Sequence, residues 1–288
     1  MLITPPTYGM YKVCAAINDV KVKKVPLTSQ FDLNLPATLA ALDANTKMLF
    51  LCSPGNPTSR VIPNSVVESV LQNFTWGLVV VDEAYIDFSS TESACSLVQK
   101  YPNVVVLQTL SKAFGLAGIR LGMAVAQKPV IQLMNNMKAP YNINKLTINV
   151  VERALSDLTV YRANVKVLDH YSPAKHVSIS DNVQHIRFLR NHSHYFSDLN
   201  FICDYYHYCQ RKTLLKERDT LVGELKKISA VEKIYPSDCN FVLFRIAHAK
   251  DLYKLMADRG VVCRYLYIAF LHLIWYFTVH LHLDLSQV

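Results

Sequence analysis

Glycine is scarce in this chain, eight residues in 288, and its seven cysteines include no C-x-x-C pair. The odd cysteine count, with Cys52 set in the apolar run Leu49-Phe50-Leu51-Cys52, argues against a disulfide frame or a zinc site and for reduced, buried thiols. Charged residues make up only 18% of the chain, and the net charge of +8 has no dense basic stripe. Its tightest group is Lys21, Lys23 and Lys24, with no basic helix interleaved with aromatics, so no nucleic-acid partner is expected. The opening Met1-Leu2-Ile3-Thr4-Pro5-Pro6 lacks the charged start and apolar core of a secretory leader, and a cytoplasmic location is expected. What the chain has in quantity is apolar. Hydrophobic residues are 51% of it, which excludes a disordered polymer and is enough for one or two cored domains.

From 12 to 125, short apolar runs alternate with amphipathic stretches, the pattern of a mainly parallel sheet covered by helices. Strands are predicted near 20–25, 48–52, 78–82, 104–108 and 121–125. Pro63 opens a predicted helix over 63–73 with Val66, Val67, Val70 and Leu71 on one stripe, and another follows Pro129 over 129–138. A longer helix is predicted over 146–168, and its pattern resumes at Leu214. Then come a strand at 240–246, a helix at 250–259 and a strand at 261–264, an incomplete smaller α/β domain.

The chemistry-bearing residues sit at the predicted strand ends. Asp82-Glu83-Ala84-Tyr85 closes the run Leu78-Val79-Val80-Val81, and Lys112 lies in Thr109-Leu110-Ser111-Lys112-Ala113-Phe114-Gly115-Leu116-Ala117-Gly118-Ile119-Arg120. Open α/β sheets place ligands at the carboxyl ends of their strands. A lysine there can form a Schiff base with an aldehyde cofactor, and its freed amine can move a proton. A carboxylate in such a place is costly unless paired, and the protonated nitrogen of a pyridine ring is a fitting partner. Tyr85 and the amide of Asn56 could donate to the ring's phenolate oxygen, Ser111 and Arg120 suit a phosphate monoester, and Gly115 and Gly118 would allow close backbone approach. Taken singly, each has a plainer explanation: Asp82 as a helix N-cap, Tyr85 as core, Arg120 as a surface ion pair, Lys112 as a solvated side chain. Their order along the chain favours the joint reading.

With Pro5-Pro6-Thr7-Tyr8-Gly9-Met10-Tyr11, Ser53-Pro54-Gly55-Asn56-Pro57-Thr58, Val81-Asp82-Glu83-Ala84-Tyr85-Ile86, the Lys112 segment and Ala139-Pro140-Tyr141, the chain resembles the fold-type I, class II aminotransferases, within them the histidinol-phosphate branch. The resemblance covers about 1–168 and 214–265. It implies a three-layer α/β fold with a mainly parallel sheet, pyridoxal 5'-phosphate as cofactor and no metal. Lys112 would carry the cofactor, Asp82 would bind its pyridine nitrogen, Asn56 and Tyr85 its phenolate oxygen, Ser111 and Arg120 its phosphate, and Tyr8 would stack on the ring. The implied reaction moves an amino group from histidinol phosphate to 2-oxoglutarate, in histidine biosynthesis, by a homodimer. Other branches of the family, aromatic aminotransferases or phosphothreonine decarboxylases, share this cofactor machinery, and a catalytically inactive cofactor-binding or dimer-interfering fragment is a further alternative.

The resemblance also marks departures. The family's N-terminal arm is expected to be absent, 1–145 is expected to be part of the large domain, and 146–168 with 214–265 part of the small one. Segments 169–213 and 266–288 are atypical: they hold nine of the ten histidines and none of the eight glycines, a composition expected of translated non-coding sequence. The histidines of 169–213 fit no compact ligand spacing apart from His192 and His194. For the apolar 266–283, a membrane helix, a packed helix or strand and an artefactual tail are the competing readings.

Overall fold

In the computed structural model, residues 1–156, 204–258, 263–268 and 271–277 are described. The chain divides into two units. The first is Met1–Gln108 with Ala124–Gln127 and Thr213–Val288; the second is Thr109–Met123 with Lys128–Lys212.

The apolar runs of the N-terminal half become the strands β1 (Leu2–Ile3), β2 (Lys23–Lys24), β3 (Met48–Cys52), β4 (Leu78–Asp82), β5 (Val104–Thr109) and β6 (Gly122–Ala126), in the order β2-β1-β3-β4-β5-β6. β1 pairs in parallel with β2 and β3, β3 with β4, and β4 with β5. Val79, Val80 and Val81 of β4 and Val104, Val105 and Val106 of β5 are all buried. Both faces of these strands are covered, which is why the sequence runs apolar without alternation. Helix α1 (Met10–Ile17) buries Tyr11 and Ala15, helix α2 (Leu35–Ala40) is capped by the Asn34 side chain on the Ala37 amide, and helix α3 (Asn64–Asn73) buries Val67, Val70 and Leu71.

A second sheet in the same unit has the strands β7 (Val231–Ile234), β8 (Phe241–Ile246), β9 (Cys263–Ile268) and β10 (Leu271–Phe277), in the order β7-β8-β10-β9 with antiparallel pairing. Leu225, Val242, Phe244, Ile246, Ala249, Met256 and Cys263 form its core. Phe31 against Tyr235, with ring centroids 4.7 Å apart, and the Ser59 hydroxyl donating to the Pro236 carbonyl at 3.1 Å tie this sheet to the first. Within the apolar 266–283 the membrane-helix reading gives way to a strand, because residues 271–277 fill the place between β8 and β9. Among the described residues no helix is long and apolar enough to cross a membrane.

The second unit has helices α4 (Lys128–Met137) and α5 (Lys145–Ser156) and the loop that begins at Thr109. Asn144 accepts from the Thr147 amide at 2.9 Å to start α5, and the Thr147 hydroxyl donates to the Ile119 carbonyl at 3.2 Å, fastening that helix to the loop. The rest of the helix expected to 168, and 169–203 of the atypical segment, lie outside the described residues. Helix α6 (Asp204–Leu225) begins ten residues before the predicted resumption at Leu214, and helix α7 (Ala249–Asp258) matches the prediction for 250–259.

Candidate active site

Asp82 ends β4, and both of its carboxylate oxygens are engaged. Oδ1 accepts from the Ala84 amide at 3.1 Å, and Oδ2 accepts from the Tyr11 hydroxyl at 2.6 Å. The N-cap reading of Asp82 fails: the 3₁₀ turn Ile86–Phe88 that follows is headed by Tyr85. The Asp82 side chain is free of any helix-capping duty, and closes a strand-end turn instead.

Tyr85 is 2% exposed and packs edge-on against Phe241 at 5.2 Å. Burial, followed by the nearby Cys239, Cys52 and Asp82, raises the pKa of its phenol well above the ordinary value, so the group is a hydrogen-bond donor at neutral pH. Burial of this kind satisfies the core reading and the site reading together. Tyr8 is 43% exposed, its ring edge-on to Tyr11 at 5.6 Å.

Asn56 is set by a tight loop after β3. The Gly55 amide donates to the Arg60 carbonyl at 2.9 Å, the Ser59 amide to the Gly55 carbonyl at 2.7 Å, and the Ile62 amide to the Ser53 hydroxyl at 2.9 Å. A Cβ at Gly55 would lie 2.1 Å from Thr58 Oγ1, so any larger residue there would force the Thr58 side chain to move. The Asn56 amide donates to Cys52 Sγ at 3.4 Å, linking the loop to the strand end beside Asp82. Burial pushes the Cys52 thiol up to about 12. Tyr8, Asn56, Asp82 and Tyr85 are thus gathered at the carboxyl edge of β3 and β4 in the first unit.

Ser111, Lys112 and Arg120 belong to the second unit, in one loop. The Ser111 amide donates to Thr109 Oγ1 at 3.1 Å, and the Gly115 amide donates to the Lys112 carbonyl at 3.0 Å, closing a turn around the lysine. Gly115 has φ 66°, the left-handed region that glycine enters without strain, whereas a Cβ at Gly118 would meet nothing within 4 Å. Arg120 also has a left-handed backbone, φ 54°, which is uncommon for a residue other than glycine. Its guanidinium donates to the Ala117 carbonyl at 2.9 Å, within its own loop.

Two residues escaped the sequence reading. Tyr11 holds Asp82; its position one helical turn after Tyr8 is the signal that could have flagged it. Glu83 is 2% exposed and accepts from the Ser93 hydroxyl at 2.5 Å, the Ala94 amide at 2.6 Å and Gln108 Nε2 at 2.9 Å. It ties the ends of β4 and β5 together directly behind Asp82. Among the described residues no group of three histidines, cysteines or carboxylates could hold a metal ion.

Residues 1–203 match the family model of aminotransferase class I and II. The chain belongs to the class I and II aminotransferases. The particular relatives are histidinol-phosphate aminotransferases. That of Cytophaga hutchinsonii is 40% identical over 264 residues, 92% of this chain and 62% of the relative. That of Saccharomyces cerevisiae is 40% identical over 278 residues, 92% of this chain and 60% of the relative. The chain therefore spans about three-fifths of the length of the curated relatives it matches. In fold it is similar to the histidinol-phosphate aminotransferase of Sinorhizobium meliloti in complex with pyridoxal-5'-phosphate (TM-score 0.72, 19% identity, 97% of this chain and 66% of that one). It is also similar to the histidinol-phosphate aminotransferase of Clostridium acetobutylicum (TM-score 0.71, 19% identity, 96% and 72%).

Proposed function

We propose that this chain carries the pyridoxal-phosphate machinery of a transaminase that moves the amino group of histidinol phosphate to 2-oxoglutarate, giving imidazole acetol phosphate and glutamate in histidine biosynthesis. The observation that carries the reading is the 40% identity to histidinol-phosphate aminotransferases over 92% of the chain. The donor set supports the cofactor: a strand-end carboxylate suits a pyridine nitrogen, a buried phenol and an amide a phenolate oxygen, a hydroxyl and a guanidinium a phosphate, and an amine an aldehyde.

In this reading Lys112 binds the aldehyde carbon, Asp82 pairs with the ring nitrogen, and Asn56 and Tyr85 donate to the phenolate oxygen. Ser111 and Arg120 hold the phosphate, and Tyr8 lies against the ring. When bound, the cofactor supplies an electron sink for the bond broken at the substrate carbon. The chain's own work is to orient and to move protons. Asp82, held by two donors, would favour the protonated ring nitrogen. Tyr85 and Asn56 would offer donors to the phenolate oxygen. Lys112 Nζ, with its amine free, would take the proton from the amine-bearing carbon of the substrate. Function in the cytoplasm as a homodimer belongs to the same reading; Leu133, Met137, Tyr141 and Leu146 of the second unit are exposed apolar residues that such pairing would cover.

The test is an absorbance spectrum of the full chain with pyridoxal phosphate. A visible band that is lost in Lys112→Ala and bleached by histidinol phosphate is expected. A chain that develops no band sinks the cofactor assignment, and a band indifferent to histidinol phosphate sinks the substrate.

A further inference from the structure

The cofactor contacts above leave one contact of Asp82 unexplained. Tyr11 is 6% exposed, and its hydroxyl donates to Asp82 Oδ2 at 2.6 Å. The phenol is wedged in place: its ring leans on Phe50 of β3 with centroids 4.8 Å apart, and Tyr8 meets it edge-on at 5.6 Å. A phenol that donates to a carboxylate makes a charge-assisted hydrogen bond, shorter and stronger than a neutral one. The Ala84 amide holds the other oxygen at 3.1 Å. One donor on each oxygen fixes the plane of the carboxylate, while each oxygen keeps a second acceptor position. Burial, with Cys52 and Asp82 beside it, raises the pKa of the Tyr11 phenol, which keeps its proton and stays a donor.

We propose that Tyr11 is a positioning residue, which fixes the Asp82 carboxylate as counter-ion to the protonated ring nitrogen of the cofactor and acts only through Asp82. The inference rests on the reading above that Asp82 pairs with that nitrogen. It adds a residue on α1 to a site otherwise built from strand ends and loops.

Tyr11→Phe removes the hydroxyl and keeps the ring on Phe50. In the full chain, pyridoxal phosphate binding followed by visible absorbance is expected to weaken roughly tenfold, a part of what one hydrogen bond to a charged group is worth. In an Asp82→Ala background the same substitution is expected to change nothing, since its target is gone. With an isotope-labelled ring nitrogen observed by NMR, the pH at which the bound cofactor loses its ring proton is expected to fall by about one unit in Tyr11→Phe. A merely structural tyrosine would lower the melting temperature and leave that titration in place. An unmoved ring titration, or an equal loss of binding with and without Asp82, overturns the inference while leaving the cofactor reading intact. Failure of the unaltered chain to take up pyridoxal phosphate overturns both.

Discussion

Gln108 donates its side-chain amide to Glu83 at 2.9 Å, while the Glu83 backbone amide donates to the Leu107 carbonyl at 2.8 Å. The end of β4 is thereby locked to β5 by a side chain and by the main chain together. Asp82 precedes this lock by one residue, and Ser111 and Lys112 follow Gln108 by three and four, so the lock sits at the root of both halves of the proposed chemistry.

Glu83 sets the first prediction. Removing its carboxylate in Glu83→Ala strands three donors, of which the Ala94 amide is buried, and is expected to cost about 3 kcal/mol of stability by urea unfolding. Burial, opposed by Ser93, Ala94 and Gln108, raises this carboxyl above its usual 4.5. The folded chain then holds the proton more tightly than the unfolded one. The associated stability is present in full below pH 4.5 and is lost as the pH rises through the raised folded value. Glu83→Gln, which cannot ionise, is expected to flatten that slope; an unchanged slope would assign it to another group.

Gly55 sets the second. The Cβ of Gly55→Ala would collide with Oγ1 of buried Thr58 at 2.1 Å, with an expected cost of about 1–3 kcal/mol. Adding Thr58→Ala is expected to recover part of that loss, because the clash has a single named partner. Thermal unfolding of the two singles and the double decides it, and strictly additive losses would locate the strain elsewhere.

The thiols give a third. Cys52 is buried with its thiol pushed up to about 12, and Cys239 is buried with its thiol also raised, whereas Cys14 is exposed. Thiolate, the reactive form, is therefore suppressed at Cys52 until the pH nears that value. Iodoacetamide at pH about 8 is expected to label Cys14 and to spare Cys52 and Cys239 in the folded chain. Peptide mass spectrometry reads the outcome, and early labelling of Cys52 would contradict its burial.

The fourth concerns β10. Ile274 pairs with Phe244 of β8 and Tyr265 of β9, so Ile274→Pro removes a ladder amide from an inner strand. Pro in such a place costs about 3 kcal/mol or more. Limited proteolysis is expected to cut the second sheet first, and resistance equal to that of the unaltered chain would mean that β10 is dispensable.

Much of this molecule was legible in its residues. Leu78-Val79-Val80-Val81 and Val104-Val105-Val106 read as covered strands because they are short and β-branched, and the motifs around Asn56, Asp82 and Lys112 name the cofactor chemistry through residue type and order. Strand β1 was missed because two residues hold no period, whereas β2 falls inside the strand predicted near 20–25. The strand β10 was ambiguous because a continuous apolar run has the same pattern in a strand, a buried helix and a lipid-facing helix.

What the sequence by itself determined is therefore the repertoire: the apolar runs and the set of groups able to meet a pyridine ring and a phosphate. Only the tertiary structure decided which groups serve others. Tyr11 and Asp82 are 71 residues apart in the chain yet 2.6 Å apart across it. A carboxylate taken from water must find donors, and the parallel pairing of β3 with β4 together with the packing of α1 determines which phenol provides one.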